Sequence, residues 1–237
     1  MLEQIKIVTS RRAYEFRPDD LRLSVLCTKP VQEQIQKLFQ FQAAVMGTPM
    51  ATFGEVPATY PPGFVFNMGV WGIADEQLVP IRFLHFEQYR IVIDVAGTSD
   101  TLTPIFERLQ QFLSNLNAPD GTPVIGEPEH ILDFSEISAK YSFPLDAVLS
   151  QPFSKVLKAV SGINTSNNMV LIPLFTVRPF PADQKLAAIP GPHTHSAFTF
   201  ALRSGTQPED HIYISSAPLD SQTHLSYLNE LEAAFRV

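Results

Sequence analysis

The sequence predicts an α+β fold: a largely antiparallel, curved sheet with four helices mainly on one of its faces. Two patterns carry this expectation. Four segments repeat apolar residues every three or four positions, as an amphipathic helix does, and the segments between them alternate with the period of a strand. A third observation orders the elements. Strand, helix, several strands, helix occurs twice along the 237 residues, which reads as a tandem pseudo-repeat of β-α-β-β-β-α units with halves at 1–120 and 121–237.

The first strand is expected at Leu21–Cys27, an almost continuous apolar run. A helix follows over 31–44, with Val31, Ile35, Leu38, Phe39 and Phe41 on its apolar side and Thr28 ahead as a cap. Extended segments are expected at Ala51–Val56, Phe64–Ile73, Val79–Glu87 and Ile91–Val95. The next helix spans 102–116, where Ile105, Phe106, Leu109, Phe112, Leu113 and Leu116 form a strong stripe.

In the second half a strand at about Glu136–Phe143 leads to a helix over 145–160, in which Pro152 forces a kink or a break. Strands at Val170–Val177, Ala197–Arg203 and Ile212–Ser215 precede a last helix over 221–235. The halves share local features. Asp100-Thr101-Leu102-Thr103 and Asp220-Ser221-Gln222-Thr223 stand 120 residues apart, each before a final helix, and each follows a strand with Ile-x-Ile. Residue identity between the halves is otherwise low.

Composition narrows the function classes. The chain is 45% hydrophobic and 17% charged with a net charge of −7, which excludes disordered and coiled-coil readings. Eighteen phenylalanines point to a core built on aromatic rings, and twenty prolines to many fixed turns. Residues 1–40 carry seven of the seventeen Lys and Arg, including Arg11-Arg12, but also five acids. That stretch reads as a solvated surface, and no nucleic-acid partner is expected. The longest apolar run, Met169–Phe175, is too short to span a membrane. The N-terminus lacks the apolar core of a secretory signal, so a cytoplasmic protein is expected. Cys27 is the only cysteine; it is read as a small core residue, and no disulfide or cysteine-based zinc cluster can form within the chain.

Catalytic signatures are sparse. There is no Gly-x-Ser-x-Gly turn, no Walker loop and no dinucleotide-binding glycine pattern, and no cofactor is expected. In Gly191-Pro192-His193-Thr194-His195 the two histidines share one face of a strand. With His211 they could supply three nitrogens to Zn²⁺ or Fe²⁺. No carboxylate follows within that strand, so a metal-dependent hydrolase or oxygenase is only the alternative. His85 and Glu87 share a face, as an acid–base pair would, but an exposed edge or a hydrogen-bonded, half-buried histidine is the preferred reading. Asp94, between Ile93 and Val95, reads as the polar side of its strand, or else as an inward carboxylate paired with Arg90 or Arg82.

The strands of the first half are apolar on both parities. A sheet with helices on one face needs only one, so the second requires a cover. The expected surface comprises Arg82, Leu84, Phe86, Arg90 and Val92. The functional expectation is therefore a non-enzymatic binding or assembly module that meets a protein partner or a second copy of itself there. A small-molecule pocket lined by phenylalanines, between sheet and helices, is the other binding reading.

Overall fold

The computed structural model describes residues 2–46, 63–73, 77–148, 174–177 and 197–235. Its strands are β1 (Glu3–Glu15), β2 (Ala43–Met46), β3 (Phe64–Ile73), β4 (Gln77–Glu87), β5 (Arg90–Val95), β6 (His130–Lys140), β7 (Phe175–Val177), β8 (Phe198–Leu202) and β9 (Ile212–Ala217). The helices are α1 (Leu23–Leu26), α2 (Lys29–Leu38), α3 (Leu102–Leu113) and α4 (Ser221–Phe235). Hydrogen-bonded neighbours run β2-β3-β4-β5-β1-β6-β9-β8-β7 in an open sheet. The pairs β2–β3, β3–β4, β4–β5, β5–β1, β7–β8 and β8–β9 are antiparallel. The α+β class and the antiparallel sheet are thus as the sequence patterns predict.

The chain divides into two compact units, Thr9–Ser135 and Met1–Val8 with Glu136–Val237. In the first, α2 and α3 share one core with one face of the sheet. Val31 and Ile35 of α2 and Leu102, Ile105, Phe106, Leu109 and Leu113 of α3 are buried with Phe64, Phe66, Ile81, Leu84, Phe86, Ile91 and Ile93. Each fully buried large apolar side chain stabilises the fold by roughly 1.5–3 kcal/mol relative to exposure. The rings interlock: Phe64 stacks on Phe86 at 4.8 Å, Phe41 on Phe66 at 5.2 Å and Tyr14 on Phe106 at 3.6 Å. In the second unit Ile137, Tyr141, Phe143, Phe200, Tyr213 and Leu228 of α4 form the core.

Several elements depart from expectation. The segment 21–27 is not a strand. Leu21 makes one bridge to Ile125, and Leu23–Leu26 form a single helical turn that buries Leu26. Its apolar residues at 21, 23, 25 and 26 suit either period, and the sheet position is taken by β1. That 13-residue strand occupies the stretch read as solvated surface.

The helix expected over 31–44 stops at Leu38. Gln40 adopts a left-handed conformation (φ 51°), and 43–46 pair with β3. Phe39 and Phe41, both buried, already follow the strand period there. Residues 145–148 form a 3-10 turn. The rest of the helix expected over 145–160 lies outside the described residues, as do the strand at Ala51–Val56 and the first half of Val170–Val177; its second half holds β7.

Candidate functional site

The hairpin between β4 and β5 decides where the expected surface residues lie. Glu87 pairs with Arg90, His85 with Val92 and Phe83 with Asp94, while Phe86 pairs with Ile91 and Leu84 with Ile93. Leu84 and Phe86 therefore sit on the helix-covered face, 1% and 0% exposed, in the core. Val92 and Arg90 are on the opposite face and are buried as well. Only Arg82, beside an irregularity in the pairing between Ile81 and Phe83, is exposed. The five residues share no face and form no apolar surface patch. Period two alone cannot tell which residue of β5 stands opposite which residue of β4; the two-residue turn sets that register.

The second face of β4 and β5 holds two polar clusters. Asp94 is fully buried. It accepts hydrogen bonds from Thr9 Oγ1 (2.7 Å) and Arg11 Nε (2.9 Å), and Arg82 Nε stands 3.6 Å away. Of the partners weighed from sequence Arg82 is present and Arg90 is not; Arg11, on β1, is the closer cation. The Arg11 guanidinium also lies over the rings of Phe83 and Phe134, 5.1 and 5.4 Å from their centroids. Arg12, its neighbour, pairs with Asp133 at 2.7 Å. Neither arginine belongs to a solvated surface.

The second cluster joins His85, Glu87 and Arg90, all buried. His85 Nδ1 lies 2.8 Å from Glu87 Oε1, off the line of a ring N–H bond, and Arg90 meets the other carboxylate oxygen. Burial opposes ionisation of Glu87, but His85 and Arg90 outweigh it and hold the carboxyl below its ordinary range. This is the arrangement of a buried structural ion cluster. The space beside it is tight: a Cβ on Gly63 would fall 3.1 Å from His85 Nε2 and 2.0 Å from the Phe86 carbonyl oxygen.

In the other unit Ser215 and His224, both buried, meet at 2.9 Å. The pair looks like a nucleophile and its base, but its polarity is reversed. The Ser215 hydroxyl donates to the Thr199 carbonyl (2.9 Å), so its one proton is committed and Nε2 must donate to Oγ. Burial lowers the His224 pKa to about 4, which keeps the ring neutral. Sequence reading placed His224 at the start of a helix without seeing this contact.

Of the metal candidates, His193 and His195 lie outside the described residues. His211 sits in a left-handed turn (φ 53°) before β9, its carbonyl accepting from the Tyr141 amide and its ring 6.5 Å from that of Tyr213. Among the described residues no group of three His, Cys, Asp or Glu is placed to hold a metal ion, and no helix is long and apolar enough to cross a membrane. Cys27 is half-buried against the core, and burial raises its pKa.

A groove of about 600 Å³ opens in the first unit. Trp71 and Gly72 of β3, Leu78 and Val79 of β4, Ala96–Thr98 after β5, and Asp100, Thr101 and Pro104 at the start of α3 line it. Antiparallel pairing places Trp71 opposite Val79. The indole packs 6.0 Å from Phe39, which fixes one wall. The 96–98 segment is held by bonds from the Ala96 amide to the Pro80 carbonyl (2.9 Å) and from Ser10 Oγ to the Gly97 carbonyl (2.7 Å).

The two Asp-[Ser/Thr]-x-Thr motifs part company here. Asp220 caps α4, accepting from the Gln222 and Thr223 amides at 3.0 Å. At α3 the N-cap is Thr101, which makes no side-chain cap bond; its hydroxyl donates to the Thr98 carbonyl (2.8 Å). Asp100 is exposed and lines the groove. No protein-family model matches the chain, and no curated protein matches it in sequence.

Proposed function

We propose that this chain is a non-enzymatic binding module that holds a small, largely apolar ligand in the groove at Trp71. The groove itself is the observation that carries this reading: its 600 Å³ falls within the roughly 300–1,000 Å³ of small-molecule sites. Aliphatic and indole surface dominates its lining, and the hydroxyl of Thr101 is already spent on the backbone. Leu84 and Phe86, the apolar members expected to draw a protein partner, are core, so a ligand groove is the better seat for binding. A cytoplasmic setting suits a chain with a single half-buried thiol.

Trp71 is the only tryptophan, so its fluorescence reports on the groove alone. A neutral aromatic alcohol such as phenylbutanol is expected to change that emission saturably. A Cβ at Gly97 would meet only Val79 Cγ1, at an ordinary 3.6 Å, so Gly97→Ala leaves the fold intact while Gly97→Leu fills the space. Loss of the response in Gly97→Leu, with far-UV circular dichroism unchanged, supports the reading. No saturable response in the wild type overturns it.

A further inference from the structure

We infer that the sheet face turned away from α2 and α3 carries a second binding site, built on Arg11 and Arg82, for a small carboxylate with an apolar body. A break in the strand period makes the site. Leu84 and Phe86 lie in the core, so strict alternation would send Arg82 there too. The pairing of β4 with β5 instead slips between Ile81 and Phe83, which leaves Arg82 as the extra residue. It reaches the other face, where its Nε stands 3.6 Å from Asp94 Oδ1. Met68 of β3 lies opposite this slip, between the pairs Asn67 with Phe83 and Gly69 with Ile81. It is held in a left-handed conformation (φ 57°) and is 65% exposed. Bulges that re-aim a side chain and strained non-glycine residues both gather at binding sites.

The charge left over in this cluster is positive. Asp94 is fully buried and its oxygens accept from Thr9 Oγ1 and Arg11 Nε, so one carboxylate answers two guanidinium groups. Each guanidinium has five N–H donors. Arg11 spends one on Asp94 and lies over the rings of Phe83 and Phe134. Arg82, at 3.6 Å from the carboxylate, makes no hydrogen bond among the described residues, and its side chain is half exposed. Its planar fork is therefore open to an incoming carboxylate, which it can take bidentately. Met68 and the half-buried rings of Phe83 and Phe134 supply apolar surface beside it. A monoanion balances the single surplus charge, whereas a phosphate monoester, at about −1.5 to −2, exceeds it.

Nitrogen–proton correlation spectra that include the arginine Nε–H signals test this, with phenylacetate, phenylethanol and inorganic phosphate titrated at low salt. Phenylacetate should shift the Arg82 Nε–H signal and the Met68 and Phe83 amides saturably, and should bind more tightly than either other probe. An exposed charge contact is worth roughly two- to fivefold, so Arg82→Gln should weaken phenylacetate by that factor and leave phenylethanol unchanged. Gly97→Leu, which fills the groove on the other face, should leave the phenylacetate response as it is. No saturable shift at Arg82 in the wild type overturns the site, whatever the variants do. Wild-type affinity in Arg82→Gln, tighter binding of phosphate, or phenylacetate shifts confined to Trp71 and Gly97 overturn it as well. The groove reading is judged separately, by Trp71 emission.

Discussion

Asp94→Ala should destabilise the protein by about 2–4 kcal/mol, a loss that follows from which bonds can be replaced. Thr9 Oγ1 approaches both Asp94 Oδ1 (2.7 Å) and the Val95 carbonyl (3.1 Å), so it keeps an acceptor when the carboxylate is gone. Arg11 does not. Its Nε bond to Oδ2, with the arginine side chain 21% exposed, is a charge-assisted bond of the kind that contributes about 1.5–3 kcal/mol, and its removal leaves a cation held only by two aromatic faces. Arg82, 3.6 Å away and 50% exposed, adds at most about 1 kcal/mol. Urea unfolding measures the total, with an unchanged slope confirming the same unfolded state. Asp94→Asn should recover little, because Arg11 needs the charge. In a double-mutant cycle Arg11→Met and Asp94→Ala should couple by about 2 kcal/mol. Additive effects, or an Asp94→Ala cost below about 1 kcal/mol, would refute the assignment of Arg11 as the partner that matters.

Two further outcomes follow from the geometry. His224 is held neutral with its pKa lowered from 6.5 to about 4, so the unfolded chain takes up a proton that the folded chain refuses. Stability from this group is complete above pH 6.5 and declines by about 3 kcal/mol as pH falls from there to 4; His224→Gln should remove that part of the acid slope, and an identical slope in the variant would sink the claim. Gly69→Ala should cost about 1–3 kcal/mol in a thermal unfolding experiment, since its Cβ would lie 2.4 Å from Phe41 Cε1 in a ring packed on Phe66, and wild-type stability there would contradict the packing.

What could be read from the sequence depended on how local its cause was. The α3 stripe was legible because Leu102, Ile105, Phe106, Leu109 and Leu113 meet the core through one helix period. β1 was not, because Arg11 and Arg12 look like surface until their partners are known, and Asp94 and Asp133 are 83 and 121 residues away. The face of Leu84 and Phe86 turned on the hairpin register. The groove had no local signal at all: Trp71, Val79 and Gly97 come from separate segments. The His85–Glu87 approach was visible as a spacing of two along a strand; the burial that makes it a closed cluster was not.

β1 is a single strand whose first residues belong to one unit and whose remainder belongs to the other. Glu3–Val8 thus join a unit otherwise made from Glu136 onward, more than 120 residues away along the chain. Closing a loop of that length in an unfolded chain costs about 2 kcal/mol more than closing one of about ten residues. Collapse of Thr9–Ser135 changes the calculation, because β1 and β6 are neighbours and Arg12 is tied to Asp133. Arg12 and Asp133, each within three residues of a point at which the chain leaves the Thr9–Ser135 unit, are then held together, which shortens the loop still to be closed. If Thr9–Ser135 folds first, it acts as a clamp that lowers the entropy cost of completing the other unit.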